Sequence, residues 1–251
     1  MNRGILSFLL IGSLYAASPA WSGALEDAAE GGKLYEAADY SRAVEAYGSA
    51  LAKSPQDAAL HFDLGNAYFR RGQPGDLGRA AASYERAFRL SPRDADVRYN
   101  LDFALRRAGE SLVPPGMPSS AFVLFHVLSR GELFILHALG LWSLLLLLTL
   151  GFWKEPLRER LRFPALAAGL LWLAAGSWLI VLEWTDVKNP GVVLAQEAEV
   201  RSAPNTGAPV QFKAPEGRRV CILQEKDGWL EIGVLKEGLQ GWIPAGLIER
   251  I

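Results

Sequence analysis

The 251 residues carry 26 Lys and Arg against 27 Asp and Glu, a formal net charge of −1, and no basic patch is interleaved with aromatics, which excludes a nucleic-acid footprint. Half the residues are hydrophobic, and they cluster in runs, as membrane segments beside soluble modules do. The single cysteine, Cys221, excludes an intramolecular disulfide and a cysteine-based structural metal site, and it reads as a buried strand residue.

Residues 1–22 read as a signal peptide. Arg3 precedes an apolar stretch from Ile5 to Tyr15, too short to span a bilayer, and Ser18-Pro19-Ala20 supplies a small-x-small cleavage site. An uncleaved anchor is the alternative, and either one exports the next segment of the chain.

Residues 24–109 are Ala-rich, polar and helical in pattern. Two units share a frame: Ala43, Tyr47, Ala50 and Pro55, then Ala80, Tyr84, Ala87 and Pro92. Gly31 and Gly65 lie upstream in each unit. A third unit, over 94–109, supplies one helix. This frame resembles the tetratricopeptide (TPR) repeat, a helix-turn-helix whose small residues let paired helices approach closely. Asp27 stands where the repeat has an aromatic, and three extra residues around "GQPGDLG" lengthen a turn of the second unit. The resemblance implies a helical solenoid whose concave groove holds peptides or partner helices. It assigns to that groove Phe62, Asn66, Phe69 and Arg70 from the second unit. From the third it assigns Tyr99, Phe103, Arg106 and Arg107. Asn66 would bond a peptide backbone and the arginines a carboxylate. For Arg106 and Arg107, a solvated helix end is the plainer reading.

Residues 110–132 read as a linker followed by a short interfacial helix, with extension of the next span as the alternative. Residues 133–153 and 163–184 read as transmembrane helices: Leu133–Trp153 and Phe163–Leu182 carry no formal charge, and at ~1.5 Å per residue each covers about 30 Å. Pro164 fits the start of the second helix. His126 reads as interfacial and His137 as packed in the hairpin. A haem-ligand pair on one helix would need partner helices. The bridge 154–162 reads as a loop whose Lys154, Arg158, Arg160 and Arg162 keep it cytoplasmic, with both flanking modules exported.

From residue 190 the pattern becomes short strands, with candidates over 192–201, 209–213, 218–225, 228–234 and 239–243. The segments "AEVRSAP", "EGRRVCIL", "DGWLEI" and "GWIPAGLIERI" resemble bacterial SH3-like domains, which implies a small all-β barrel over 190–251. Trp229 and Trp242 are candidates for a ligand-facing pair, against a core role for both.

The fold class expected is therefore a multidomain membrane protein: α-helical TPR solenoid, transmembrane helical hairpin, small all-β SH3-like barrel. No HExxH, Walker, GxSxG or GxGxxG motif occurs, so the chain reads as non-enzymatic, without cofactor or metal. The order of modules resembles BatE-type proteins of bacterial aerotolerance operons. That resemblance implies an inner-membrane scaffold in an envelope stress complex, beside von Willebrand A domain membrane proteins and a MoxR-type ATPase. A peptidoglycan-binding tether or sensor, and a cytochrome-maturation accessory subunit, are the alternatives.

Overall fold

The computed structural model describes the backbone of residues 19–113, 116–185, 188–234 and 237–251. The signal sequence expected over 1–22 lies outside them except for residues 19–22, which belong to the first helix.

Five helices build the repeat region: α1 (Pro19–Glu36), α2 (Tyr40–Lys53), α3 (Ala58–Arg71), α4 (Asp76–Leu90) and α5 (Ala95–Arg107). Asp39, Asp57 and Asp94 begin α2, α3 and α5 by accepting hydrogen bonds from first-turn N–H groups, which otherwise lack partners. Gly72, in the left-handed region at φ 66°, closes α3. The Gly–Tyr frame is a packing device. A Cβ on Gly31 would sit 2.8 Å from the Tyr47 ring, and one on Gly65 2.6 Å from the Tyr84 ring. Only glycine lets each tyrosine lie flat on the neighbouring helix.

The lengthened turn before α4 is organised by Asp76, which is fully buried. Arg71 donates to its carboxylate at 2.8 and 2.7 Å, the Gln73 N–H donates at 2.9 Å, and Arg79 lies 3.4 Å away. Burial opposes ionisation of Asp76, yet these donors hold its carboxyl below the usual carboxylate range.

After α5 the chain turns through Leu112, which is buried in the core of the second and third units. A two-turn helix, α6 (Ser119–Phe125), comes next. Phe122 stacks on Phe88 of α4 at 6.1 Å, so the expected linker segment is tied to the repeats. The helical run breaks at 126–129 before the next helix. The expected short helix is present over 119–125 only, and the span's helix takes in 130–132 ahead of its expected start.

Two long apolar helices form an antiparallel hairpin: α7 (Arg130–Trp153) and α8 (Glu155–Thr185). Both are long and apolar enough to cross a membrane. Ser129 and Glu132 form a capping box at the start of α7. Residues 155–162 are helical rather than a loop, and Lys154 alone separates the helices. The reason is local: Pro156 falls in the first turn, where its missing N–H costs nothing, and Leu, Glu and Arg are strong helix formers. Pro164 is consequently inside α8, not at its start.

The C-terminal strands are β1 (Pro190–Val193), β2 (Glu197–Arg201), β3 (Val210–Pro215), β4 (Arg219–Lys226), β5 (Trp229–Val234), β6 (Leu239–Pro244) and β7 (Ile248–Arg250). They form one antiparallel sheet in the order β3-β2-β6-β5-β4-β1-β7. Val193, Ala214 and Ile248, from strands near opposite ends of that order, share one core, so the sheet curls onto itself. The expected first strand is two strands, and β7 comes after a 3₁₀ turn at 245–247.

The barrel docks on α4 and on the end of α5. Glu216, 139 residues away in sequence, accepts from Leu77 N–H at 2.9 Å and Gly78 N–H at 3.3 Å. It thereby caps a helix whose own N-cap, Gly75, has no side chain to do so. A Cβ on Gly78 would lie 2.5 Å from the Val193 carbonyl oxygen. Val192 is buried in the helical core rather than the barrel core. Arg219 donates to Glu110 at 3.0 Å from its backbone N–H and at 2.9 Å from Nε, and Arg86 pairs with Glu249 at 2.7 Å. The third unit lacks a second helix, and the barrel and α6 cover the flank it leaves.

Candidate functional site

A groove opens along α1, α3 and α5. At its base the Asn66 carboxamide oxygen accepts from Tyr84 Oη at 2.8 Å and from Asn100 Nδ2 at 2.9 Å. Among the described residues, no acceptor meets Asn66 Nδ2 and no donor meets Asn100 Oδ1. The pair presents one donor and one acceptor, the complement of a peptide unit. Desolvation, the largest effect on Tyr84, pushes its phenol up, so it stays a neutral donor.

Aromatic rings form the walls. Phe69 meets Phe103 edge-on at 5.6 Å, and Tyr99 stacks on Phe103 at 6.5 Å. Tyr99 is 70% exposed, an unusual place for a large ring without a partner. Tyr35 and Tyr84 complete the lining. Arg70 lies over the Tyr40 ring at 5.2 Å and donates to its hydroxyl at 2.7 Å. Arg107 lies over Phe69 at 5.4 Å and Phe103 at 5.2 Å. Neither arginine has a carboxylate partner among the described residues. The groove thus offers two unneutralised guanidinium groups held on aromatic faces, beside two amides.

Of the residues assigned from sequence, Asn66, Phe69, Arg70, Tyr99, Phe103 and Arg107 meet at this groove. Phe62 does not line it. Its ring packs 5.9 Å from Tyr84 against the repeat core. Arg106 turns away into an ion pair with Asp102, one helical turn back. Tyr35, Tyr40, Tyr84 and Asn100 were not assigned to the groove. A signal existed for one of them: Tyr35 stands 34 residues, one repeat, before Phe69, as Gly31 stands before Gly65. Asn100 carried no such signal, because the insertion sets the second and third units 37 residues apart, from Asp57 to Asp94 and from Gly72 to Gly109, so that Asn66 corresponds to Phe103.

In the barrel, Trp242 is buried, at 9% exposed, and Trp229 is half-buried. They do not form an exposed pair, because the Trp242 side chain is packed inside the barrel domain. Cys221 is buried, with Sγ 2.9 Å from the Lys188 carbonyl. In the hairpin, His137 has both ring nitrogens engaged by one residue. Nδ1 lies 3.1 Å from the Trp172 carbonyl oxygen, and Nε2 accepts from Trp172 Nε1 at 3.1 Å. His126 packs between Phe88, Phe122 and Phe125, with Nδ1 2.9 Å from the Phe122 carbonyl. Both rings sit in packing roles.

Residues 31–72 match a TPR repeat family, and residues 197–249 match a bacterial SH3 domain family. The first match ends at Gly72, where the lengthened turn begins. No curated protein matches the chain. Each of these two modules is therefore of a known binding class: a protein-interaction repeat and a bacterial SH3 domain. Joined through two apolar helices, they support a protein-binding scaffold.

Proposed function

We propose that the chain is a membrane-anchored, non-enzymatic scaffold whose repeat groove holds an extended partner peptide bearing a carboxylate. The observation that carries this reading is the Asn66–Asn100 amide pair set between Arg70 and Arg107, with no acidic partner for either arginine among the described residues. Amides bond the peptide backbone, and guanidinium groups take a side-chain or terminal carboxylate in a fork. The rings supply apolar area at low entropic cost.

The same reading makes α7 and α8 a two-span anchor in the inner membrane, with repeats and barrel both on the exported side. The docking of barrel on repeats supports this, since an odd number of crossings between them would forbid the Arg219–Glu110 contacts. A reporter fused at Arg158 is expected to behave as cytoplasmic, and fusions at Ser111 and Ile251 as exported. A swapped pattern would overturn the topology. The module order further suggests an envelope stress complex of the aerotolerance kind, with von Willebrand A domain membrane proteins as partners. Co-purification in mild detergent tests it: partners recovered with the wild-type chain should be lost with Asn66→Ala/Arg70→Ala.

The bacterial SH3 match favours a second reading, attachment to peptidoglycan through the barrel. Intact chain should then sediment with isolated sacculi. The docked face, β1 and β7 with Glu216, is covered, so any such ligand would use the face of β3, β2 and β6.

A further inference from the structure

The charged start of α8 serves the topology reading as an orientation signal, but that reading gives its cations no ligand. Within eight residues it carries Arg158, Arg160 and Arg162 against Glu155 and Glu159, with Lys154 just before. Arg162 is paired with Glu159 at 2.8 Å. Among the described residues, no carboxylate lies within ion-pair reach of Lys154, Arg158 or Arg160.

Helix pairing fixes the depth of these cations. Gly140 of α7 faces Trp172 of α8, and Gly151 faces Arg158, where a Cβ would lie 3.9 Å from the Arg158 Cα. The charged turns therefore run alongside the last turn of α7, not beyond the hairpin's end. That last turn presents Phe152 and Trp153, which are 84% and 78% exposed, and Phe163 lies further along α8 at 81%. From Phe163 to Leu182, α8 covers about 30 Å at ~1.5 Å per residue, the thickness of a bilayer core. The cations and the three rings thus sit at the level where hydrocarbon gives way to headgroups.

Resting on the membrane reading of α7 and α8, we propose that Lys154, Arg158 and Arg160 form a binding site for the phosphate of anionic phospholipid headgroups in the leaflet at this end of the hairpin. Arginine donors match phosphate geometry, and the lysine adds a point charge. Phe163, five residues or about 7.5 Å along α8 from Arg158, lies beside the acyl chains below, while Phe152 and Trp153 stand at the hairpin tip with Lys154. A soluble phosphate would need a concave cradle; here the cations stand on an open helix surface bordered by apolar rings, which suits a lipid.

The test uses the intact chain in nanodiscs of equal phosphatidylglycerol and phosphatidylcholine, with retained lipids counted by native mass spectrometry. Wild-type chain is expected to retain phosphatidylglycerol over phosphatidylcholine by about tenfold or more, from three charges near the surface. Lys154→Gln/Arg158→Gln/Arg160→Gln is expected to fall to near parity while still entering the disc. Parity in the wild type, or a preference that survives in the triple variant, overturns the proposal. So does displacement of phosphatidylglycerol by inorganic phosphate, which would indicate a site for the free ion. Failure of the membrane reading looks different: the chain would elute without a disc, and both would fall.

Discussion

The two faces of the helical repeats are built in opposite ways. Along α1, α3 and α5 lies an open groove with exposed rings and arginines that lack acidic partners among the described residues. On α4 and just past α5, the barrel supplies partners: Glu216 caps α4, Glu110 takes Arg219, and Glu249 takes Arg86. One face is finished within the chain and the other is not. An unfinished polar and aromatic surface is where a partner is expected, and a finished one is where stability resides.

Mutations on the two faces should therefore separate stability from binding. The largest effect is expected at Glu110, whose side chain is nearly buried against Arg219. Glu110→Ala leaves the half-buried Arg219 guanidinium only the longer Glu85 contact at 3.8 Å and the Ser111 carbonyl, takes the 3.5 Å contact from Arg218, and should lower the unfolding free energy of the intact chain by about 3 kcal/mol. Removing both partners should recover part of that loss, while peptide binding in the groove stays unchanged. A stability loss below about 0.5 kcal/mol would show the docked face to be loose. Next comes Gly65→Ala, which drives a methyl into the Tyr84 ring. Overpacking of this kind should cost about 2 kcal/mol in thermal or denaturant unfolding. It should also weaken the groove, because Tyr84 holds Asn66. The groove itself should show the opposite signature. Arg70→Ala is expected to reduce affinity for an acidic peptide about tenfold, by calorimetry, with little change in stability. Glu216→Gln keeps a cap acceptor but removes its charge, so it should cost well under 1 kcal/mol, the smallest effect of the set.

Asp76 adds a pH test. Its folded carboxyl is held below the ordinary value, so in acid the unfolded chain takes up the proton first. Its contribution is complete above the unfolded value of about 4 and is lost as pH falls through the lower folded value. Asp76→Asn should lower stability at neutral pH and flatten that acid limb in pH-dependent unfolding.

Local chemistry explains what the sequence alone revealed. The Gly31–Tyr47 and Gly65–Tyr84 frames, the Asp caps and the apolar runs each act over a few residues or a fixed period, so they can be read without coordinates. The misses involve long range or competing patterns. Glu216 caps a helix 139 residues upstream, and no local rule marks it. Val192 alternates like a barrel residue but is buried among helices. Charges made 154–162 look like a loop, although Leu157, Leu161 and the glutamates continue a helix. Phe62 and Trp242 fell on expected binding faces, yet packing took both. Tyr35 was legible through the 34-residue period that links it to Phe69, whereas Asn100 meets Asn66 off that period and no repeat rule marks it.

If the groove meets the partner and the docked face does not, the two should differ in cross-linking. The photo-cross-linker p-benzoylphenylalanine can be placed in cells at Tyr99, on the open groove, and separately at Leu77, under the barrel. Position 99 should give a partner adduct that disappears with Asn66→Ala/Arg70→Ala, and position 77 should give only cross-links within the chain. A partner adduct from position 77, or one from position 99 that ignores the double substitution, would place the partner elsewhere and refute the groove.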